Sequence, residues 1–224
     1  MFIEQAFKKE TDLKLRILNF IKYLGGSFLV FLAAMVGQIP LSIAVLFSGK
    51  MPQNNADLYS LFDSNVFLFF ALLTFVFAFI GLYLVVEKLH LQKFISIITS
   101  RERLDWSRIF VSFGLWLIIS VILFFASYFY DSSEIVLQFN LIPFAILCVI
   151  TLILMPIQTT AEELLFRGYL MQGFYNLSLN KWFPLLMTSL IFGTMHIMNP
   201  EVEKIGYLIL VYYIGTGLFL GIIT

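Results

Sequence analysis

The chain has 224 residues, of which 60% are hydrophobic and only 12% carry a charge, and its formal net charge is zero. Soluble domains have about 25% charged residues, so this composition favours a protein built for lipid. The sequence offers no basic patch with interleaved aromatic residues and no Gly-rich phosphate loop, which argues against a nucleic-acid partner. The one cysteine, Cys148, lies in an apolar segment, which excludes a disulfide framework and a cysteine-based metal site.

The N-terminal stretch, residues 1–24, interleaves apolar residues with lysines and predicts an amphipathic cytoplasmic segment along the inner membrane surface. Residues 25–224 contain no hydrophilic block long enough for a soluble domain and predict a single transmembrane domain. A helix needs about 20 mostly apolar residues to cross a bilayer. We therefore expect an all-α, polytopic transmembrane helical bundle of about six spans. The expected ranges are 25–48, 64–86, 109–130, 141–163, 182–199 and 205–224.

Lysine and arginine are distributed unevenly between the loops. The N-terminal stretch and the 87–108 loop hold five each, whereas the loop between the first two spans holds one and the 131–140 loop holds none. The positive-inside rule therefore places the N-terminus and the 87–108 loop in the cytoplasm. We predict a multi-pass protein of the bacterial inner membrane, with membrane lipid as a partner. The 87–108 loop could instead be a substrate-binding basic patch, and His90 within it is expected to be a surface histidine.

Three charged residues, Glu162, Glu163 and Arg167, interrupt the fourth apolar segment. Ionisable groups near membrane depth are costly and usually functional. Glu163 and Arg167 are spaced i,i+4 with the acid first, which predicts an ion pair that supports the helix face. Neighbouring residues on a helix point to different faces, so Glu162 has no local counter-charge and is a candidate general base. The competing interpretation is a helix end that snorkels to the headgroup boundary.

The fifth apolar segment carries one histidine, His196, and a turn is predicted between the two segments near Ser178. Glu162 precedes that residue by 16 positions and His196 follows it by 18. At 1.5 Å per residue these separations are about 24 Å and about 27 Å. An antiparallel helical hairpin would therefore bring the acid and the imidazole to one depth. Asn199 could hydrogen-bond the imidazole, although an Asn-Pro pair more often just ends a helix.

These residues resemble two motifs of the CPBP family of intramembrane proteases, which includes the CAAX prenyl endopeptidases and bacteriocin-processing and immunity relatives. The motif EExxxR is matched by Glu162, Glu163 and Arg167, and FxxxH is matched by Phe192 and His196. The resemblance implies an all-helical membrane hydrolase that cleaves a peptide bond at a cavity open to the cytoplasm. Its substrate would be a membrane-associated peptide or a lipidated protein.

The resemblance covers residues 141–224 and implies a role for each matched polar residue. Glu162 would activate the attacking water, and His196 would position that water or stabilise the oxyanion. Glu163 and Arg167 would hold the site together. A divalent metal such as zinc and a glutamate-activated water alone both remain open as mechanisms. No metal ligands are assigned, because a zinc site needs at least three protein ligands and residues 1–224 offer no convincing set.

The family has a third motif, a histidine followed four residues later by asparagine or aspartate, which residues 1–224 do not contain. Either the chain is a fragment whose last helix is absent, or the protein lacks part of its site, and the apolar ending of the sequence favours a fragment. The alternative function is a non-catalytic membrane protein, such as a bacteriocin immunity protein or binding partner, or a small proton-coupled transporter that uses Glu162 and Glu163. A transporter is expected to carry polar residues in several spans. Spans two to four contain few polar residues before Glu162.

Overall fold

The computed structural model describes residues 12–53, 55–99, 101, 103–132, 136 and 138–223. Every regular element in this part of the chain is helical, which confirms the predicted all-α membrane fold. Four helical stretches are long and apolar enough to cross a membrane, and two shorter apolar helices follow them. The long stretches are Leu13–Phe47, Ser64–Leu89, Trp106–Tyr130 and Leu141–Ser178, and the shorter helices are Trp182–Met195 and Ile209–Ile223.

The helices are numbered in chain order. They are α1 Leu13–Phe47, α2 Asn55–Leu61, α3 Ser64–Leu84, α4 Trp106–Tyr130, α5 Leu141–Glu163, α6 Met171–Ser178, α7 Trp182–Met195, α8 Pro200–Ile205 and α9 Ile209–Ile223. Wide π-helical turns extend α3 over Val85–Leu89 and join α5 to α6 over Leu164–Leu170. A short 3-10 turn covers Phe94–Ile97.

Three of the long helices begin at an aspartate whose side chain accepts a hydrogen bond from a backbone N–H in the first turn. These caps are Asp12 for α1, Asp63 for α3 and Asp105 for α4. A capping carboxylate satisfies one of the four N–H groups that have no partner inside the helix, which fixes where the helix begins. The α6 helix ends at Leu179, which has a left-handed φ of 54° and turns the chain into α7.

The helix bounds differ most from the predicted spans in two places. In addition, α7 ends at Met195 rather than at residue 199, and α9 begins at Ile209 rather than at residue 205. The first helix begins at Leu13, so residues 13–24 form its first turns, while residues 1–11 of the predicted amphipathic segment lie outside the described residues. The fourth helix continues past residue 163 to Ser178 and is 38 residues long. That length is about 57 Å at 1.5 Å per residue, nearly twice the hydrocarbon thickness of a bilayer. The two extensions pack against each other.

One hydrogen-bond cluster explains why the two extensions stay together. The guanidinium of Arg16 on α1 donates to the backbone carbonyls of Asn176 and Leu177 at the end of α6. The last carbonyls of a helix have no partner inside the helix and carry a partial negative charge, so a cation there is favourable. The start of α1 and the α6–α7 turn therefore lie at the same end of the bundle.

The bundle is built around α3, which packs against α1 and α5, while α7 packs against α6 and α9. At the far end, the Asn65 side chain donates to the carbonyl of Pro143 over 2.9 Å and ties the start of α3 to the start of α5. Small residues permit the closest helix contacts. A Cβ on Gly37 would lie 2.8 Å from the Thr74 Cα, and one on Gly217 would lie 3.1 Å from the Ser189 Cα. Glycine-lined contacts of this kind are typical of membrane helices.

Helix α4 contains no buried residue, so its apolar side chains face outward on every side. Because an apolar helix without a covering protein surface is stable in hydrocarbon, this arrangement fits a lipid-facing helix. The protein is therefore an integral membrane protein whose buried residues are concentrated in α1, the end of α3, the π-helical turn Leu164–Leu170, α6 and α7.

Candidate active site

The structure brings Glu162 and His196 together from two different helices. Glu162 lies in the last turn of α5, and His196 directly follows the last residue of α7. The Glu162 carboxylate interacts electrostatically with His196 and Arg167, and the side chain of Gln158 lies beside it. The antiparallel hairpin predicted from the sequence therefore forms, with its turn at residues 179–181.

The Arg167 guanidinium lies at the centre of this region and is only 3% exposed. Its Nη1 donates to Glu163 Oε1 over 2.9 Å, which is the predicted i,i+4 ion pair. Its Nη2 donates to the Gly217 carbonyl of α9 over 3.4 Å. A buried charge is tolerated only when it is paired and hydrogen-bonded. Arg167 meets both conditions and connects the π-helical turn to α9.

Phe192 links the two motifs. Its ring lies under the Arg167 guanidinium, with 4.3 Å between the guanidinium carbon and the ring centroid, and contacts Phe166 edge-on at 5.3 Å. The ring face carries partial negative charge, so the stacked cation is stabilised. The backbone carbonyl of the same Phe192 accepts a hydrogen bond from His196 Nδ1 over 2.7 Å. One residue therefore orients both the arginine of the first motif and the histidine of the second.

The contact with Phe192 determines which nitrogen of His196 is available. A carbonyl oxygen can only accept, so Nδ1 must carry a proton to make this bond. In the neutral imidazole the other nitrogen, Nε2, is then an acceptor. The ring is also stacked on Tyr213 of α9, with centroids 4.4 Å apart and planes 24° apart. Of the two options for Asn199, the structure shows an Asn-Pro pair that follows α7 and begins α8, and the Asn199 Nδ2 donates to the Tyr213 hydroxyl over 3.3 Å.

The expectation that His90 is a surface histidine is wrong. His90 is half-buried, and its Nε2 is 2.7 Å from the Tyr169 hydroxyl in the π-helical turn. Its ring packs against Tyr23 of α1 with a centroid distance of 4.3 Å. The Tyr23 hydroxyl in turn donates to Gln172 Oε1 over 3.2 Å. Burial, and secondly the charge of Lys22, lower the pKa of His90 below its usual value.

The contacts among His90, Tyr23 and Gln172 fix the start of the 87–108 loop against the motif helix, which is the continuous helix Leu141–Ser178. The Gln92 side chain donates to the Tyr23 hydroxyl over 3.4 Å, and Gln172 Nε2 donates to the Ser96 carbonyl over 3.5 Å. Gly168 leaves room for this loop, because a Cβ there would lie 3.3 Å from the Ile97 Cβ. The residues following α3 therefore support the turn that carries Arg167.

Among the described residues, no three histidine, cysteine, aspartate or glutamate side chains converge in a way that could hold a metal ion. Glu162 and His196 supply two candidate ligands, whereas a zinc site usually takes three from the protein. The described part of the chain does not by itself make a complete zinc site.

Two residues of the site were missed from the sequence. Gln158 contacts Glu162, and its spacing of four residues before Glu162 in an apolar segment is a signal that could have found it. Tyr213 contacts His196 from α9, and no local pattern marks that contact. The proximity of α7 and α9 could have been inferred from Gly217-x-x-x-Gly221, since such a motif indicates close helix packing.

Residues 141–224 match the protein family described as type II CAAX prenyl endopeptidase Rce1-like. The match covers both motifs and all four charged or imidazole side chains of the site. The resemblance drawn from the sequence is thus confirmed for this segment.

The chain is also similar to YyaK of Bacillus subtilis (strain 168), a protein described as uncharacterized. The two are 34% identical over 185 residues, which cover 80% of this chain and 61% of YyaK. The chain thus spans about three fifths of the length of that relative. No solved structure matches the chain significantly.

The Glu163–Arg167 pair should show unequal effects when either partner is removed. Glu163→Met strands a buried guanidinium, so we expect it to lower the free energy of unfolding by about 3 kcal/mol or more. Arg167→Met strands a carboxylate that is 38% exposed, so its effect should be smaller. The double variant should recover part of the loss. Unfolding in detergent micelles measures all three, and a Glu163→Met protein as stable as the wild type would contradict this account.

The burial of His90 predicts a pH dependence of stability. Its pKa in the folded state is below the ordinary 6.5, so folding favours the neutral ring. That contribution is complete above about pH 6.5 and is lost as the pH falls from there through the lowered pKa. His90→Gln keeps a polar group beside Tyr169 but cannot be protonated. As the pH is lowered from about 7.5 to about 5, the melting temperature of the wild type should fall more steeply than that of His90→Gln. Parallel curves would contradict the prediction.

Proposed function

We propose that the protein is an intramembrane endopeptidase that hydrolyses a peptide bond of a membrane-associated or lipidated substrate. The observation that carries the proposal is the meeting of Glu162 and His196 within an apolar helical bundle. They come from separate helices, and both lie in the segment that matches the CAAX prenyl endopeptidase family. An acid beside an imidazole is a recurring arrangement for activating water.

In the proposed reaction, Glu162 is the general base. Its carboxylate takes a proton from a water molecule as the water oxygen attacks the carbon of the scissile carbonyl. The carbonyl oxygen then carries a negative charge in the tetrahedral intermediate. When the intermediate collapses, the C–N bond breaks and the proton held by Glu162 passes to the leaving nitrogen. One carboxyl group therefore serves as base and then as acid, which balances the protons.

The hydrogen bond to Phe192 favours one of the two roles considered for His196. With its proton on Nδ1, a neutral imidazole offers Nε2 only as an acceptor. Such a nitrogen can hold one hydrogen of the attacking water, but it cannot donate to an oxyanion. His196 therefore positions the water, while Glu162 removes its other proton. Gln158 lies beside the carboxylate, four residues earlier on α5, and would restrain it there.

Glu163 and Arg167 support the site without contacting the substrate in this scheme. The guanidinium is held by Glu163, by Gly217 and by the Phe192 ring. Because these contacts join the π-helical turn to α7 and α9, they keep Glu162 and His196 in register. Small displacements of reacting groups lower the reaction rate strongly, so a rigid support for Glu162 and His196 would increase the rate of cleavage.

The site is proposed to face the cytoplasm of a bacterial cell. The start of α1, with Lys14 and Arg16, lies at the end of the bundle where α6 turns into α7. The basic loop after α3 contacts the motif helix near the same end through His90. Both stretches are rich in lysine and arginine, which the positive-inside rule assigns to the cytoplasm. A substrate anchored in the inner leaflet would then reach the site from the membrane.

The proposal can be tested in proteoliposomes with fluorogenic peptides that carry a prenylated C-terminus, alongside the same peptides without the lipid. Glu162→Gln and His196→Ala should each lower the cleavage rate by about 10²–10⁴-fold, the usual contribution of acid–base catalysis. Both variants should accumulate in membranes as the wild type does. Glu201→Gln, which neutralises an exposed acid on α8, is the matched control and should cleave normally. Normal cleavage by Glu162→Gln or His196→Ala would overturn the proposal.

A further inference from the structure

The His196 imidazole contacts two aromatic rings, and only one of them belongs to the recognised motif. Phe192, one turn earlier on α7, has its ring centroid 4.6 Å from the imidazole. The second ring is Tyr213 on α9, whose centroid lies 4.4 Å from that of the imidazole with the two planes 24° apart. The near-parallel stack on Tyr213 leaves the imidazole less freedom to rotate than the tilted contact with Phe192.

The position of His196 in the chain explains why it needs a restraint from outside its own helix. It is the C-cap residue of α7, and the chain leaves the helix there as a turn that reaches Asn199. The neighbouring side chains Met195 and Met198 are 59% and 81% exposed, so they cannot hold the ring. The last turn of a helix frays readily, and a side chain on it is mobile unless other elements fix it.

Tyr213 is itself restrained by that turn. Asn199 Nδ2 donates to its hydroxyl over 3.3 Å, which joins the segment following His196 to α9. Two helix contacts maintain the distance: Gly193 faces the Ile214 side chain, and Gly217 faces Ser189. A larger residue at either glycine would push α9 away. The backbone therefore brings Tyr213 to a defined distance from the imidazole.

We propose that Tyr213 is a positioning residue that fixes the plane of the His196 imidazole. The stack keeps Nδ1 directed at the Phe192 carbonyl, and Nε2 remains the nitrogen available beside Glu162. Asn199 contributes by holding the Tyr213 hydroxyl. The proposal rests on the proposed function only in treating His196 as a reactive group, since the arrangement itself can be measured without a substrate.

The full chain offers a direct test because it contains two histidines. In protein labelled with ¹⁵N-histidine and reconstituted in bicelles, the chemical shifts of the ring nitrogens report which nitrogen of a neutral imidazole carries the proton. His196→Ala assigns the signals, and His90 serves as the internal control. The wild type should show His196 as the Nδ1–H tautomer. Tyr213→Phe keeps the stacked ring but loses the hydrogen bond from Asn199, so its tautomer ratio should fall between those of the wild type and Tyr213→Leu. Tyr213→Leu should lower the ratio of the Nδ1–H to the Nε2–H tautomer at least severalfold, with the His90 signals unchanged.

A second variant covers the case in which Tyr213→Leu fails to fold, which altered His90 signals would reveal. Asn199→Ala keeps the ring but releases its hydroxyl, so the tautomer ratio of His196 should fall between those of the wild type and a freely rotating ring. A His196 spectrum identical to the wild type in a folded Tyr213→Leu protein overturns the proposal. So does an identical spectrum in Asn199→Ala where Tyr213→Leu does not fold.

Cleavage assays separate this proposal from the proposed function. If the protein cleaves the prenylated peptides, Tyr213→Leu should lower kcat at least tenfold with little change in KM, and Tyr213→Phe should keep most of the activity. A wild type that cleaves no peptide, together with the expected tautomer change, refutes the endopeptidase assignment and leaves the positioning of His196 supported. A cleaving wild type with an unaltered Tyr213→Leu spectrum refutes the positioning role alone.

Discussion

The arrangement of the site depends on one buried guanidinium. Arg167 carries its charge where only 3% of the residue is exposed, and it is stabilised by Glu163, the Gly217 carbonyl and the Phe192 ring. These partners come from three different helical elements. Because an unpaired buried charge is strongly destabilising, the elements are held to the positions that satisfy it. The spacing of Glu162 and His196 is a consequence of this requirement, since each lies within one turn of a partner of Arg167.

A second polar cluster supports the same helix from the opposite side. His90, Tyr23, Tyr169 and Gln172 join α1, the segment after α3 and the motif helix through hydrogen bonds. Together with Arg16 at the end of α6, these residues provide polar partners for residues 164–178, the part of the helix that extends beyond the predicted span. Polar networks in which every member is bonded rigidify a structure and define a single arrangement. The helix that carries Glu162 is therefore restrained on both sides.

The sequence predicted those parts of the structure that follow from helix regularity. A constant rise per residue was sufficient to place Glu162 and His196 opposite each other across a turn near residue 178. The i,i+4 spacing was likewise sufficient to predict the Glu163–Arg167 pair. The expected division into about six apolar segments agrees with the four long and two short apolar helices.

The contacts that the sequence did not reveal are those between residues distant in the chain. His90 is 79 positions from Tyr169, and nothing in a loop rich in charges distinguishes a buried histidine from an exposed one. Tyr213 lies in a continuous apolar run, in which periodicity cannot identify the face that contacts His196. The π-helical turn at 164–170 is also invisible to periodicity, because its local sequence is compatible with an ordinary α-helix.

The central claim is that the Glu162 and His196 side chains share one site, and cysteine cross-linking measures this most directly. In a Cys148→Ser background, which removes the one native thiol, the pair Glu162→Cys and His196→Cys should be joined by a short bifunctional thiol reagent in intact membranes. A control pair, Leu152→Cys and His196→Cys, moves the first thiol ten residues, or about 15 Å, along α5 and should not be joined. Efficient linkage of the first pair and none of the second is the predicted result. Failure of the first pair to link, or equal linkage of both, would contradict the account.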